Sequence, residues 1–335
     1  MSSNLSRHVF SDCSSMKNLV TRRLRRVTQL KFFERVWENI PLIPPLLRGN
    51  KGDVFPAPSP LPSIGINLMK LYSLTVLANE KIANDHFVMC FEFPGNAGEI
   101  LPGQFVNILL DQMAYRMPRP FSVFNTEKNQ ISILYKVFGK GTDSLSQVQV
   151  GQSLSVLLPL GNAFPEVFLD GLCLLSGGIG VVPLYFFAKR VFEKSPSEAK
   201  KIRVYLGASN QSGIVCLEDF KKWGCSVTVS TDDGSLGISG SCLKAFQDDL
   251  KKEDAFTKLQ ALAKTIFACG PHGMLRAVAK FSEVKNIPAY LAAEEVMGCG
   301  FGACVGCAIP ARQGEMPYKL VCTDGPVFEA KEIEW

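Results

Sequence analysis

Four cysteines near the C-terminus constrain this chain more than anything else in it. Cys299, Cys304, Cys307 and Cys322 read C-x4-C-x2-C with a fourth cysteine after a 14-residue loop. That asymmetric spacing is the plant-type pattern for a [2Fe-2S] cluster, in which four thiolates are shared by two irons. Supplying three of them from one short loop requires the backbone to curl tightly around the sulfur atoms. Gly298, Gly300, Gly302 and Gly306 allow that curl, because glycine accepts positive φ and lets amide N–H groups come close. The competing reading is structural zinc, which is ordinarily held by two C-x2-C knuckles.

The rest of the chain is long enough to support such a site. With 335 residues, 47 % of them hydrophobic, it has material for two or three cored domains. The net charge of +5 is unevenly placed: residues 1–35 hold eight Lys/Arg against two Asp/Glu, a balance of +6, which leaves −1 for everything after them. The body therefore offers no basic footprint for nucleic acid. The other seven of the eleven cysteines lack the spacing of a disulfide framework. Iron–sulfur assembly also needs a reducing compartment, so a cytoplasmic location is expected. No run of about 18 apolar residues is free of Gly, Pro or charge, so no membrane span is expected. The three histidines, His8, His86 and His272, have no Ser, Cys or Glu partner at catalytic spacing, which leaves acid–base hydrolysis without support.

Residues 1–68 differ from the remainder of the chain. Val20, Leu24, Val27 and Leu30 fall on one helical face opposite Arg22, Arg25 and Arg26, a pattern compatible with a transit peptide or a membrane-surface helix. Proline-punctuated stretches come next and argue against regular structure. The segment is expected to have low order, as an upstream extension read through from an early start, with organelle targeting by residues 1–35 and a functional tail the less favoured alternatives.

From residue 69 to 165 short β-branched and aromatic runs recur, at 71–82, 86–94, 104–110, 130–138 and 153–161, which predicts a small antiparallel β-barrel. Within it Arg119-Pro120-Phe121-Ser122 carries chemistry. An arginine holds a pyrophosphate by forked, charge-assisted hydrogen bonds, and a serine beyond a rigid proline can reach a flavin ring edge. Leu134-Tyr135-Lys136 sits mid-strand, and Gly139-Lys140-Gly141-Thr142 opens a helix suited to phosphate. Alone, R-P-x-S could equally be an ordinary strand start. In the order R-P-x-S, L-Y-K, G-x-G-T, the segment resembles the FAD-binding domain of the ferredoxin–NADP reductase superfamily.

Residues 166–290 alternate strands and helices, which specifies a parallel sheet covered on both faces, with ligands beyond the carboxyl ends of the strands. Gly177-Gly178-Ile179-Gly180 lies between a strand and a helix, where bare backbone suits a phosphate, although glycine-rich turns also arise for packing. Cys269-Gly270-Pro271 ends a later strand. Gly177, Gly178 and Gly180 are candidate NAD contacts on that ground, and Cys269 and Gly270 because the resemblance to ferredoxin reductases implies that this turn meets the nicotinamide, with Cys269 equally readable as a small buried residue. Thr231-Asp232-Asp233-Gly234 reads first as a solvated turn and second as a ribose contact.

Residues 291–335 form a cluster-binding segment. EE-x-x-G-C-G-x-G-A-C-x-G-C followed by V-C-x-D-G-P-V-F resembles the electron-transfer subunit of type B dihydroorotate dehydrogenase, over residues 69–335. The resemblance implies that the four cysteines ligate [2Fe-2S], that Arg119 to Ser122, Leu134 to Lys136, Gly141 and Thr142 contact FAD, and that NAD is the final acceptor. It further implies an FMN-containing catalytic subunit as partner, in a heterotetramer of two plus two. Two other readings stay open: a relay of the kind found in the small subunit of an NADH-dependent ferredoxin–NADP oxidoreductase or an oxygenase reductase, and a zinc-stabilised nucleotide-binding regulator without redox activity.

Overall fold

Alternation of apolar side chains with a period of two builds the first unit. In the computed structural model, which describes residues 69–96, 99–110, 117–252, 263–312 and 314–335, six strands close an antiparallel barrel in the order β1-β2-β5-β4-β3-β6. They are β1 (Lys70–Ala83), β2 (His86–Glu92), β3 (Phe105–Leu109), β4 (Arg119–Glu127), β5 (Gln130–Lys136) and β6 (Ser153–Leu160). Leu74, Val76, Met89, Phe91, Val106, Ile108, Val123, Ile133 and Val156 fill the interior. Phe105 and Leu109 of β3 belong to a different cluster, shared with the C-terminal segment. Helix α1 (Lys140–Ser146) joins β5 to β6. Strand β4 falls outside the apolar runs of the sequence because Ser122, Asn125 and Thr126 interrupt its alternation. The extension 1–68, with the expectations for it, lies outside the described residues.

The second unit is a sheet in the order β10-β9-β8-β7-β11-β12-β15. Strands β7 (Leu172–Gly177), β8 (Arg203–Ala208), β9 (Ser226–Thr231), β10 (Ile238–Ser239), β11 (Thr265–Cys269) and β12 (Ala289–Ala292) run parallel. Between them come α2 (Val181–Lys194), α3 (Pro196–Ala199), α4 (Leu217–Lys222), α5 (Cys242–Lys252) and α6 (His272–Lys285).

The C-terminal segment adds three short strands. A hairpin of β13 (Ala308–Pro310) and β14 (Tyr318–Leu320) occupies the interval between the third and fourth cysteines. Strand β15 (Val327–Glu329) then joins the sheet antiparallel to β12, with Phe328 opposite Leu291. The parallel sheet thus acquires an antiparallel edge from the segment that carries the cysteines. Three residues give too short a pattern to announce a strand in advance.

Helix α2 locks the two larger units together. Its Phe186 is fully buried in the barrel cluster, and burying a side chain of that size contributes about 1.5–3 kcal/mol. Tyr185 stacks on Phe124 of β4 at 4.3 Å between centroids, while Phe164 stacks on Phe267 of β11 at 4.6 Å. Lys189 adds an ion pair to Glu127 at 2.7 Å.

Candidate functional site

The spacing of the cysteines becomes geometry through the β13–β14 hairpin. Ala308 pairs with Leu320 and the Val321 N–H donates to the Cys307 carbonyl at 3.1 Å, so the two flanking cysteines abut. The first loop curls as its glycines require: Gly300 has φ +81°, Gly302 φ +79° and Val305 φ +57°. Backbone amides then point at sulfur. Phe301 N–H and Ala303 N–H donate to Cys299 Sγ at 3.5 and 3.3 Å, Gly302 N–H to Cys322 Sγ at 3.2 Å, and Gly306 N–H to Cys304 Sγ at 3.4 Å.

The four sulfurs lie close enough to perturb one another. Thiol hydrogen bonds from Cys304 and Cys322 pull the Cys299 thiol far below its ordinary range, against the burial that opposes ionisation. One from Cys322 likewise lowers Cys307, while the donors Cys304 and Cys322 are pushed up. Among the described residues no three His, Cys, Asp or Glu are placed to hold a single metal ion. A two-iron cluster asks for something else, two sulfurs at each iron. Each of Cys299, Cys304, Cys307 and Cys322 has at least one of the other sulfurs as an interacting neighbour. This donor set, all sulfur, amide-lined and glycine-curled, fits [2Fe-2S]. Cys299, Cys307 and Cys322 are buried, whereas Cys304 and the loop from Phe301 to Gly306 are half-exposed.

Two asparagines of the barrel unit hold this segment. Asn107 of β3 donates its amide to the Cys299 carbonyl at 3.3 Å. Asn162, just after β6, donates Nδ2 to the Asp324 carbonyl at 2.8 Å and accepts from the Val327 N–H at 3.0 Å, while its own N–H reaches the Gly325 carbonyl at 2.7 Å. Neither residue stands out in the sequence. An asparagine inside a strand or after one has no periodic signal, and only the distant partner gives it a role.

The residues expected to contact flavin open β4 and run along β5. Arg119 donates Nη1 to the Met117 carbonyl at 2.8 Å, and its guanidinium lies against Gly141, where any Cβ would come within 2.8 Å of Nε. Arg119 and the start of α1 therefore flank one spot, a combination suited to a pyrophosphate. The Thr142 hydroxyl is engaged within the turn: it accepts from the Phe138 and Gly139 N–H groups and donates to the Gly139 carbonyl. Pro120, Phe121 and Ser122 are half-buried. Leu134 packs into the core between the two units, and Lys136 is exposed. Tyr135 points into the barrel, where its hydroxyl donates to Asn79 Oδ1 at 2.9 Å and burial raises its pKa. Its backbone alone can face a ligand.

At the nucleotide sheet, the β7 and β11 turns press on one another. A Cβ on Gly180 would lie 2.4 Å from the Cys269 carbonyl oxygen, and one on Gly270 2.9 Å from the Gly177 nitrogen. A Cβ on Gly177 would strike Pro271 and Met274. These three glycines are required for packing, whereas Gly178, at φ +54°, faces open space. Cys269 is buried, and burial together with the Glu294 carboxylate pushes its thiol well up. Glu294 itself is exposed, and partial loss of hydration raises its pKa. It lies beside Cys269 and was not among the sequence candidates. Thr231 to Gly234 form a hydrogen-bonded turn, with Asp233 Oδ1 accepting from Ser235 N–H at 2.9 Å and Oγ at 2.6 Å.

These stations converge on three neighbouring strands. The cluster loop lies on β3, R-P-F-S is on β4 and L-Y-K on β5. Strand β5 in turn touches the Gly178–Gly180 turn.

Comparison with known proteins agrees with that layout. Residues 294–334 match the family profile described as the iron–sulfur cluster binding domain of dihydroorotate dehydrogenase B, and residues 174–280 the oxidoreductase NAD-binding domain. The chain is 35 % identical over 259 residues to the dihydroorotate dehydrogenase B (NAD(+)) electron transfer subunit of Caldanaerobacter subterraneus subsp. tengcongensis, covering 77 % of this chain and 96 % of that one. It is 38 % identical over 238 residues to the protein of the same name from Bacillus caldolyticus, covering 69 % and 86 %. Among solved structures, one of an NADH-dependent reduced ferredoxin–NADP oxidoreductase superposes with TM-score 0.65 at 28 % identity, over 79 % of this chain and 90 % of that one. The ferredoxin reductase in carbazole 1,9a-dioxygenase shares the fold, with TM-score 0.57 at 19 % identity over 70 % and 71 %.

Proposed function

The chain belongs to the family of electron transfer subunits of dihydroorotate dehydrogenase B, and on that premise we propose how its own residues carry the relay. It is an oxidoreductase subunit that passes electrons from a catalytic dihydroorotate dehydrogenase subunit to NAD⁺, within pyrimidine biosynthesis. When bound, a [2Fe-2S] cluster supplies one-electron transfer and FAD the exchange between single electrons and a hydride for NAD⁺.

The residues divide that work. Cys299, Cys304, Cys307 and Cys322 bind the irons, and the N–H groups of Phe301, Gly302, Ala303 and Gly306 hold negative charge on sulfur. Arg119, beside Gly141, would hold the FAD pyrophosphate, and Pro120, Phe121, Ser122 and the backbone of Leu134, Tyr135 and Lys136 would hold the rest of the flavin. Gly178, which faces open space, would take NAD phosphate, and the turns held together by Gly177, Gly180 and Gly270 would line the same nucleotide. The half-exposed loop around Cys304 faces an FMN-containing catalytic subunit, in an assembly of two plus two, in the cytoplasm. Among the described residues no helix is long and apolar enough to cross a membrane.

The observation that carries this reading is the amide-lined four-sulfur cradle docked on the flavin strands. It is tested by co-purifying the chain with an FMN-bearing catalytic subunit. The expected result is flavin bands overlaid by broad [2Fe-2S] absorption, and dihydroorotate-dependent reduction of NAD⁺. A colourless zinc-bearing sample would remove the relay; an intact complex reducing NAD⁺ only from another donor would remove the pathway and leave the relay.

A further inference from the structure

Asn107 is an odd residue to find where it is. It is fully buried on the outward face of β3, between Phe105 and Leu109, which pack against the cysteine segment. Its amide nitrogen reaches the Cys299 carbonyl, but Oδ1 has no hydrogen-bond partner among the described residues. A buried polar atom left unpaired costs about 1–3 kcal/mol, so the unpaired Oδ1 is a cost that packing by itself does not explain.

What the amide supplies is a fixed register between two cofactor sites. Asn107 lies opposite Pro120 of the R-P-F-S motif across the β3–β4 ladder. On its other side the cluster loop comes so close that a Cβ on Gly300 would sit 2.8 Å from Nδ2. We propose that Asn107 is a positioning residue of the relay: its amide fixes the Cys299 end of the cluster loop against the strand that carries the flavin motif. This rests on the relay reading and adds to it that the barrel, not only the cysteine segment, sets where the cluster stands. A donor bonded to the backbone of a ligand residue acts on the metal site from behind, and loss of such outer contacts typically costs about 10–100-fold in metal retention.

The test compares full-length wild type with Asn107→Leu, purified without oxygen. Thermal unfolding and FAD per chain report the fold; iron release to a chelator and the electron paramagnetic resonance signal of the reduced cluster report the loop. Asn107→Leu is expected to unfold at a modestly lower temperature, because the buried Cys299 carbonyl loses its donor, with its FAD retained, while iron leaves about 10–100-fold faster and the resonance signal shifts or splits. Wild-type release and an unshifted signal would overturn the proposal. Should Asn107→Leu fail to fold, Asn107→Ser decides by the same readouts, since its hydroxyl fits the space but is too short to reach the carbonyl. Failure of both to fold makes Asn107 a structural residue and also overturns the proposal. A wild-type protein without any [2Fe-2S] signal would instead remove the relay reading, before any variant is made.

Discussion

Substituting Asn162 by alanine should release the fourth cysteine from the barrel. The side chain donates to the Asp324 carbonyl at 2.8 Å and accepts from the Val327 N–H at 3.0 Å, so it spans the residues just after Cys322. The Asp324 carbonyl is in an exposed setting and regains water, for a loss of roughly 0.5–1.5 kcal/mol. Val327 is buried, and its orphaned N–H costs about 1–3 kcal/mol more. The backbone bond from Asn162 N–H to Gly325 survives. A total of about 1.5–4.5 kcal/mol raises the open fraction of the Cys322–Val327 stretch by roughly 10- to 2,000-fold. Amide hydrogen exchange at Val327 and iron loss to a chelator should both accelerate in that range, while the FAD spectrum is retained. If iron release in Asn162→Ala stays within about threefold of wild type, below one kcal/mol, the barrel does not hold Cys322 and the reasoning fails.

Gly180→Ala places a Cβ 2.4 Å from the Cys269 carbonyl oxygen; backbone cannot yield as a side chain can, so the cost sits near the top of the ~1–3 kcal/mol range for overpacking. KM for NADH should rise and the unfolding temperature fall, and finding both unchanged would contradict the packing of the two turns. The Glu127 carboxyl is held below its usual range by hydrogen bonds from Lys189 and Asn125. A depressed folded pKa contributes stability above the unfolded value of about 4.3 and loses it as pH falls through the folded one. Unfolding temperature should therefore drop more steeply below about pH 4.3 for wild type than for Lys189→Met, and parallel curves would refute the link. Phe301→Glu puts a charge on the half-exposed cluster loop; co-elution with the catalytic subunit should be lost at wild-type iron content, and a stable complex would move the docking face elsewhere.

Much of this arrangement was legible because local chemistry repeats. The strands at 71–82 and 86–94 alternate because one side faces a core, and Gly300 and Gly302 sit where the backbone turns to positive φ. Gly177, Gly180 and Gly270 were less readable. A phosphate turn and a turn that must pack closely use the same residue, and only the 2.4–2.9 Å approaches separate the two roles. Tyr135 shows the converse: it belongs to the flavin-like L-Y-K run, yet its ring is turned into the barrel toward Asn79.

By itself the sequence determined which residue types stand at which spacing: four cysteines at a two-iron spacing, an arginine with a rigid proline, and strands of the right period for a barrel and a sheet. These depend on residues near one another in the chain, the four cysteines all lying between positions 299 and 322. Tertiary structure alone decided how the sites face one another. Asn107 and Cys299 are 192 residues apart, and Asn162 and Val327 165 apart, and no periodicity in either segment encodes the other. Their contact arises only when β3, β6 and the last strand of the sheet have been packed, because burial of Phe105, Leu109, Leu157 and Phe328 in one core brings the cysteine loop onto the flavin strands.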